Sequence, residues 1–228
     1  MNQNLQQIYD ISGGTAVRNR VLRNTYWLLA LSLIPTVMGA WMGVQFNINV
    51  FALGFWPGLI LFFALSFGFM IGIQKNKDSG LGVALLLLFT LFMGTMLSGL
   101  LGRTLRFSNG PTLIMLAFSG TAVIMAAMAT IATVSKRDFS KMGQWLFMGV
   151  IVLFVASLAN IFLQIPALYL ALSVMAIVIF SAYLLYDVNQ IVTGGETNYV
   201  IATLQIYLDL FNIFQNLLSL LGIFGGDD

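Results

Sequence analysis

Seven apolar runs occupy most of the chain, and each is long enough to cross a lipid bilayer. A membrane-spanning helix needs about 20 apolar residues. The runs cover residues 25–44, 51–73, 81–101, 111–134, 144–163, 166–191 and 199–224. A spanning segment must satisfy its own backbone hydrogen bonds, because the hydrocarbon core offers no partners. The sequence therefore predicts an all-α membrane protein with seven transmembrane helices. The connections are short, so neighbours in sequence are predicted to be antiparallel neighbours in space.

The composition agrees with this class and excludes several chemistries. Only 8% of the 228 residues are charged and 59% are hydrophobic, whereas a soluble domain is about a quarter charged. The net charge of +2 is too small to indicate nucleic-acid binding. Cysteine and histidine are both absent, which excludes disulfides, thiol chemistry and the usual pH switch. Any proton sensing near neutral pH must use carboxylates, and no cofactor is expected.

Lysine and arginine are distributed unevenly between the two sides of the predicted bundle. One side receives Arg18, Arg20, Arg23, Lys75, Lys77, Lys136, Arg137 and Lys141, and the other receives Arg103 and Arg106. The positive-inside rule then predicts a cytoplasmic N-terminus and an external C-terminus. Residues 1–22 are polar and lack the apolar core of a signal peptide. We interpret them as a cytoplasmic tail, followed by one transmembrane domain at 23–228.

The last apolar run carries a stripe of polar side chains. Gln205, Asp209, Asn212 and Asn216 recur at the spacing of one helical face. Unsatisfied polar groups are costly in hydrocarbon, so this face is not expected to contact lipid. The pattern predicts that the seventh helix lies inside the bundle with six helices around it. The alternative, in which this polar segment re-enters the membrane and returns, stays open.

Asp187 and Asp209 are the two acids that fall within apolar runs, and intramembrane acids are functional candidates. The sixth and seventh helices are expected to form a hairpin that turns at Gly194 and Gly195. Asp187 lies about two turns before this loop and Asp209 about three turns after it. The two carboxyl groups are therefore predicted at similar depth, where facing rotations of the helices would bring them into contact.

Two carboxylates in such contact cannot both ionise cheaply, so they are expected to share a proton. This would make Asp187 and Asp209 a pH-sensitive latch. Together with the side-chain oxygens of Asn189, Gln205 and Asn212, the pair also offers the hard ligands that calcium prefers. A purely structural hydrogen-bonded pair, which only locks the helices together, is an equally weighted alternative.

Three motifs in the last third of the chain resemble the Bax inhibitor-1 family. They are Tyr-Asp-Val-Asn-Gln-Ile at 186–191, Gly-Gly-Glu-Thr-Asn-Tyr at 194–199 and Tyr-Leu-Asp-Leu-Phe-Asn-Ile-Phe at 207–214. The resemblance covers nearly the whole chain, although its specific signal lies after Asn160. Leu-Arg-Asn-Thr-Tyr at 22–26 and Ala-Asn-Ile-Phe-Leu-Gln at 159–164 look most like the bacterial YccA-like branch.

The resemblance implies six helices around a central seventh and a pH-regulated calcium leak governed by the aspartates that match Asp187 and Asp209. It also implies residence in the bacterial inner membrane. In such family members a basic residue near the cytoplasmic end of the second helix helps to close the pore. Here Lys75 and Lys77 occupy that region without an arginine, and an ammonium does not reproduce the guanidinium fork.

Three functions follow from these observations, in descending order of preference. The first is the pH-sensitive calcium leak. The second, implied by the YccA-like branch, is a non-catalytic modulator that binds and restrains the membrane-anchored FtsH protease. The third is an intramembrane aspartyl protease, but such enzymes carry Gly-x-Gly-Asp where this chain has Tyr207-Leu208-Asp209. Their Pro-Ala-Leu motif follows the second aspartate, whereas it precedes both aspartates here. The expectation is a protein that is not an enzyme.

Overall fold

The structure is a computed structural model that describes residues 2–48, 50–135 and 137–226. Those residues form seven long α-helices and two short 3-10 helices, and contain no strand. The α-helices are α1 Asn2–Gln45, α2 Phe55–Lys75, α3 Gly80–Thr104, α4 Gly110–Val134, α5 Gly143–Leu163, α6 Pro166–Thr193 and α7 Tyr199–Gly225. Each is long and apolar enough to cross a membrane. The prediction of an all-α protein with seven spanning helices is confirmed.

The helix ends have the residues that helix termination requires. Gly194 ends α6 with φ 84°, in the left-handed region that glycine enters without steric cost. Asn198 caps the start of α7 by accepting hydrogen bonds from the backbone amides of Val200 and Ile201. Pro111 and Pro166 each occupy the first turn of a helix, where a missing amide hydrogen is tolerated. The α6–α7 hairpin therefore turns where the glycine pair predicts.

The first helix is much longer than a membrane span. Its 44 residues correspond to about 66 Å of helix, roughly twice the thickness of a hydrocarbon core. Residues 2–22, which we assigned to a tail, continue in the same helix as the first span. The domain boundary at residue 22 and the cytoplasmic location of this segment stay predictions.

The expected pairing of sequence neighbours holds for α2 with α3, α5 with α6 and α6 with α7, and is slight for α3 with α4. It fails for α1 with α2 and for α4 with α5, because α4 packs on α6 and α7 instead. Helix α1 packs instead along α3, and also contacts α7 and α6. Glycines at the crossing explain this choice. A Cβ atom at Gly39 would lie 2.0 Å from the Leu91 carbonyl oxygen, and one at Gly94 would lie 2.1 Å from that of Thr36. Such close backbone approach is available only to small residues.

Helix α7 packs against α1, α3, α4 and α6 and touches α2. Its buried face includes Val200, Leu204, Ile206, Ile213 and Leu218, while its Gln205 is exposed. Helix α5 packs on α6, and Leu153 is its buried residue. The arrangement of six helices around a central seventh stays a prediction. The packing that matters for the site is that of the α6–α7 hairpin, against which α1, α3 and α4 also pack.

Candidate functional site

The carboxyl groups of Asp187 on α6 and Asp209 on α7 are in side-chain hydrogen-bonding contact. Asp187 is 6% exposed and Asp209 is 4% exposed. A hydrogen bond between two carboxyl groups needs a proton on one of them, because a carboxylate has no donor. The structure brings the two carboxyl groups together, and the sharing of a proton between them stays a prediction.

No basic side chain compensates this pair within the described residues. Asp209 Oδ2 is buried and accepts no hydrogen bond from an amide, hydroxyl or cationic group there. A further acid, Glu196 in the α6–α7 loop, places a negative charge that acts on Asp187. The phenol of Tyr183, about one turn before Asp187, lies close to both carboxyl groups. The two carboxyl groups are thus buried together without a compensating cation among the described residues.

Asn189 was predicted beside the carboxyl pair, but its side chain holds the α4–α5 loop. Its Oδ1 accepts a hydrogen bond from the Phe139 amide at 3.1 Å, and its Nδ2 donates to the Arg137 carbonyl at 3.5 Å. The next residue, Gln190, donates to Ser140 Oγ at 3.0 Å. The end of α6 therefore anchors the loop, and the oxygen of Asn189 is already occupied.

The polar stripe of α7 is largely satisfied by its own backbone. Asn212 donates to the Leu208 carbonyl and Asn216 donates to the Asn212 carbonyl, each at 2.8 Å. Asn216 lines a cavity of about 810 Å³ at the end of the bundle opposite the α6–α7 hairpin. Gln205 is exposed. The structure brings Asp187 and Asp209 together but does not join these amides to them in one coordination shell.

Lys75 and Lys77, the candidate latch residues, lie at the end of α2 and in the α2–α3 turn. Lys75 is exposed, and neither ammonium group pairs with Asp187 or Asp209 in the structure. The contact between this turn and α7 comes from Asn198, whose Nδ2 donates to the Lys77 carbonyl at 3.2 Å and to Asp78 Oδ1 at 2.8 Å. The latch role of the lysines stays a prediction.

Two features of the interior were missed by sequence reasoning. The first is a hydrogen-bonded contact between three helices, in which Tyr207 on α7 meets Thr36 Oγ1 on α1 at 2.9 Å and the Thr90 carbonyl on α3 at 3.4 Å. The second is the large cavity, which Arg103 and Arg106 help to line. Both depend on the pairing of α1 with α3, for which no single-sequence signal was available. Asn198 could have been found, since an asparagine directly before an apolar run is a helix-start signal.

Calcium coordination was predicted at the carboxyl pair. A calcium ion takes 6–8 oxygen ligands, and the described residues contain no group of three or more acids that could hold a metal. After loss of the shared proton, Asp187 and Asp209 would supply up to four oxygens, with water or backbone oxygens completing the shell. Calcium thus stays a prediction, as a transported ion at this pair.

The fold and the carboxyl pair define a multi-pass α-helical membrane protein with a buried diaspartyl contact between its last two helices. Residues 18–226 match the family model described as Inhibitor of apoptosis-promoting Bax1. The chain belongs to the Bax inhibitor-1 family, which confirms the resemblance found in the sequence.

Individual relatives span nearly the whole chain. The chain is 36% identical to the Modulator of FtsH protease YccA of Escherichia coli K12, over 92% of each chain. It is 33% identical to a protein of Neisseria meningitidis serogroup A, over 97% of this chain and 98% of the relative. A membrane protein of Vibrio cholerae is 35% identical over 94% of each chain. The Escherichia coli relative is named as a modulator of a protease and the Vibrio cholerae relative as a membrane protein.

Proposed function

We propose that this protein is a membrane-embedded modulator of an FtsH-type protease, which it binds without catalysing a reaction. The observation that carries the proposal is the 36% identity to the Escherichia coli protein of that name, sustained over 92% of both chains. A relative from another Escherichia coli strain is named an inner membrane protein, which supports the inner membrane as the location. This ordering reverses our preference from the sequence, because the comparisons support the modulator more than the leak.

The long first helix offers a surface for such a partner. Residues 2–22 extend α1 by about 30 Å beyond its predicted span, and we call this segment the α1 arm. At its base, Arg18 donates a hydrogen bond to the Val192 carbonyl at 3.0 Å. Val192 lies on α6 near the α6–α7 hairpin, so the base of the arm is joined to the element that carries Asp187. We infer that the α1 arm contacts the protease and that the helices hold the arm in position.

The test uses bacterial cells that lack their own member of this family. The lifetime of a membrane substrate of FtsH is measured with and without this protein, and co-purification with FtsH is measured in parallel. We expect the full chain to lengthen the lifetime and to co-purify. Deletion of residues 2–16, which leaves Arg18 in place, should reduce both effects. The matched control replaces residues 2–16 with an unrelated helical segment of equal length. It distinguishes an effect of the arm's sequence from an effect of its length.

Either part of this proposal can fail separately. If the full chain changes neither substrate lifetime nor co-purification, the protein is not a modulator of FtsH. If the deletion variant restrains the protease as well as the full chain does, the α1 arm is not the contact and the helical surfaces must be.

A second candidate function, a proton-controlled calcium leak, rests on the contact between Asp187 and Asp209. With the shared proton in place the carboxyl pair joins α6 to α7 and the path is closed. Loss of the proton would leave two anions in contact, which repel each other and attract a cation. Asn216, seven residues or about 10 Å of helix rise beyond Asp209, lines the cavity at the opposite end. Opening would need to connect the carboxyl pair with that cavity.

The leak is tested by calcium flux into liposomes that contain the purified protein, at mildly acidic and mildly alkaline pH. We expect flux in the wild type to depend on pH, and Asp187→Asn and Asp209→Asn each to abolish that dependence. Asp138→Asn is the matched control, because it removes an exposed loop carboxylate and should leave the profile unchanged. Flux no greater than in empty liposomes, with folded protein, would reject the leak and leave the pair with a structural role.

A further inference from the structure

The cavity at the end of the bundle opposite the α6–α7 hairpin lies between α1, α3, α6 and α7, and we call it the distal cavity. Its volume is about 810 Å³, within the range of about 300–1,000 Å³ typical of ligand sites. Its interior wall includes Thr95 and Met96, which lie roughly two turns before the end of α3. The distal cavity therefore descends from the end of the bundle into the depth of the spanning helices.

Among the described residues that line the distal cavity, the charged ones are all basic. Arg103 on the last turn of α3 and Arg106 in the following turn both line it, and no acid does. Neither guanidinium has a hydrogen bond or ion pair with another described residue. Both arginines are exposed at the rim of the cavity, and each guanidinium carries five N–H donors that have no acceptor among the described residues. An anion with several acceptor oxygens is the complementary ligand.

The rest of the lining distinguishes a lipid from a free ion. Apolar residues of α1, the α1–α2 connection and α3 also line the cavity, namely Val44, Ile48, Phe51, Met96 and Leu100. Helices α6 and α7 contribute polar residues to the lining, namely Tyr169, Gln215, Asn216 and Ser219. A lining that combines two arginines with both apolar and polar side chains fits a phosphate joined to glycerol and acyl chains. A free phosphate ion would leave the apolar part unoccupied or filled with water.

We propose that the distal cavity binds the phosphodiester headgroup of an anionic phospholipid, with Arg103 and Arg106 holding the phosphate and the apolar wall receiving the glycerol and upper acyl chain. The headgroup must lack a cationic group, because an ammonium would meet the two guanidinium groups. A phosphatidylglycerol-type lipid satisfies this condition and phosphatidylethanolamine does not. This site is separate from the Asp187–Asp209 pair and does not depend on either proposed function.

The experiment measures thermal unfolding of the full chain in an uncharged detergent. Short-chain phosphatidylglycerol, short-chain phosphatidylethanolamine of equal chain length and inorganic phosphate are titrated separately. A ligand that binds only the folded state raises the unfolding temperature as its concentration exceeds the dissociation constant. We expect phosphatidylglycerol to raise it at concentrations at which the other two have no effect.

Substitutions of the two arginines test whether the lipid binds in the distal cavity. Arg103→Gln and Arg106→Gln should each weaken phosphatidylglycerol binding about tenfold, the size expected for one lost charge-assisted contact. Arg103→Lys and Arg106→Lys keep the charge and should restore part of the affinity. Lys141→Gln removes an equal charge from an exposed position at the opposite end of the bundle and should bind as the wild type does.

Three results would overturn the proposal. Equal stabilisation by phosphatidylglycerol and phosphatidylethanolamine would show that the headgroup charge is not recognised. Unchanged binding in the doubly substituted Arg103→Gln, Arg106→Gln protein would place the lipid elsewhere. An arginine-dependent shift produced equally well by inorganic phosphate would assign the distal cavity to a free anion instead of a lipid.

Discussion

Asp187 on α6 and Asp209 on α7 meet through their carboxyl groups on the inside of a helical hairpin, and neither is more than 6% exposed. We predict that the two acids share one proton, which joins them. No cationic side chain contacts the pair in the described part of the chain. An ion pair therefore cannot hold the two carboxylates together once the proton is lost. This prediction makes the hairpin contact and the protonation of the pair one equilibrium.

We predict that wild-type thermal stability falls as pH rises through the loss of the shared proton, since two anions are then held in contact. Asp209→Asn should remove this dependence, because an amide can donate to Asp187 without a shared proton. The expected difference in unfolding free energy at mildly alkaline pH is on the order of 2 kcal/mol. Thermal unfolding between neutral and mildly alkaline pH measures it, with Asp138→Asn as the control, because Asp138 does not titrate in that range. Superimposable pH profiles for Asp209→Asn and the wild type would contradict proton sharing.

The carboxyl pair could be predicted from the sequence because its geometry is local. Gly194 and Gly195 fix where the hairpin turns, and the helical rise then fixes the depths of Asp187 and Asp209. The partner of α1 could not be predicted in this way, because the apolar faces of the spanning helices are chemically alike. Its pairing with α3 depends on backbone contact at Gly39 and on matching side chains that lie far apart in sequence. The distal cavity arises from that pairing and was missed with it.

The amide stripe shows a second limit of sequence reasoning. A period of about four residues placed Asn212 and Asn216 on one face of α7, but it gave no information on their rotamers. Both side chains donate to the carbonyl four residues earlier, a local bond that competes with contacts across the bundle. Asn189 was assigned to the carboxyl pair because of its proximity in sequence, whereas neighbouring residues on a helix point in different directions.

The crossing of α1 and α3 predicts a strong effect of glycine substitution. Gly39→Ala and Gly94→Ala each place a methyl group about 2 Å from a backbone carbonyl oxygen. The two helices must then separate, and we expect a loss of about 1–3 kcal/mol in unfolding free energy. Gly68→Ala on α2 is the matched control, because nothing lies within 4 Å of a Cβ atom there. Equal stability of all three variants would contradict the close crossing.

The cap of α7 predicts a smaller effect close to the hairpin. Asn198→Ala removes the acceptor of the Val200 and Ile201 amides and the donor to the Lys77 carbonyl. We expect a loss of about 0.5–2 kcal/mol, together with faster amide exchange in the first turn of α7. Thr197→Ala changes the exposed neighbouring residue and should have little effect. Hydrogen exchange that stays unchanged in Asn198→Ala would show that this cap does not hold the helix start.

Substitution of Tyr207 tests the interior contact that this residue on α7 makes with α1 and α3. Its hydroxyl meets Thr36 Oγ1 at 2.9 Å, and its ring packs edge-on against Phe89. Tyr207→Phe keeps the ring and removes the hydrogen bond, so we expect a loss of about 0.5–1.5 kcal/mol. Tyr199→Phe removes a hydroxyl that makes no hydrogen bond with the described residues, and its stability should match that of the wild type. A Tyr207→Phe protein as stable as that control would reject the contact.

Asp138 in the α4–α5 loop gives a prediction for a titrating group outside the spanning helices. The hydroxyl and backbone amide of Ser140 hydrogen-bond to its carboxylate, the amide at 2.8 Å from Oδ1, and hold its pKa below the usual value. A lowered pKa in the folded state stabilises the loop above the unfolded pKa and loses this effect as pH falls through the folded value. Ser140→Ala should therefore raise the Asp138 pKa, which carboxyl-carbon NMR titration measures. Ser135→Ala alters the same loop without touching Asp138 and should leave the Asp138 pKa unchanged. An Asp138 pKa that is equal in both variants would show that Ser140 is not the cause.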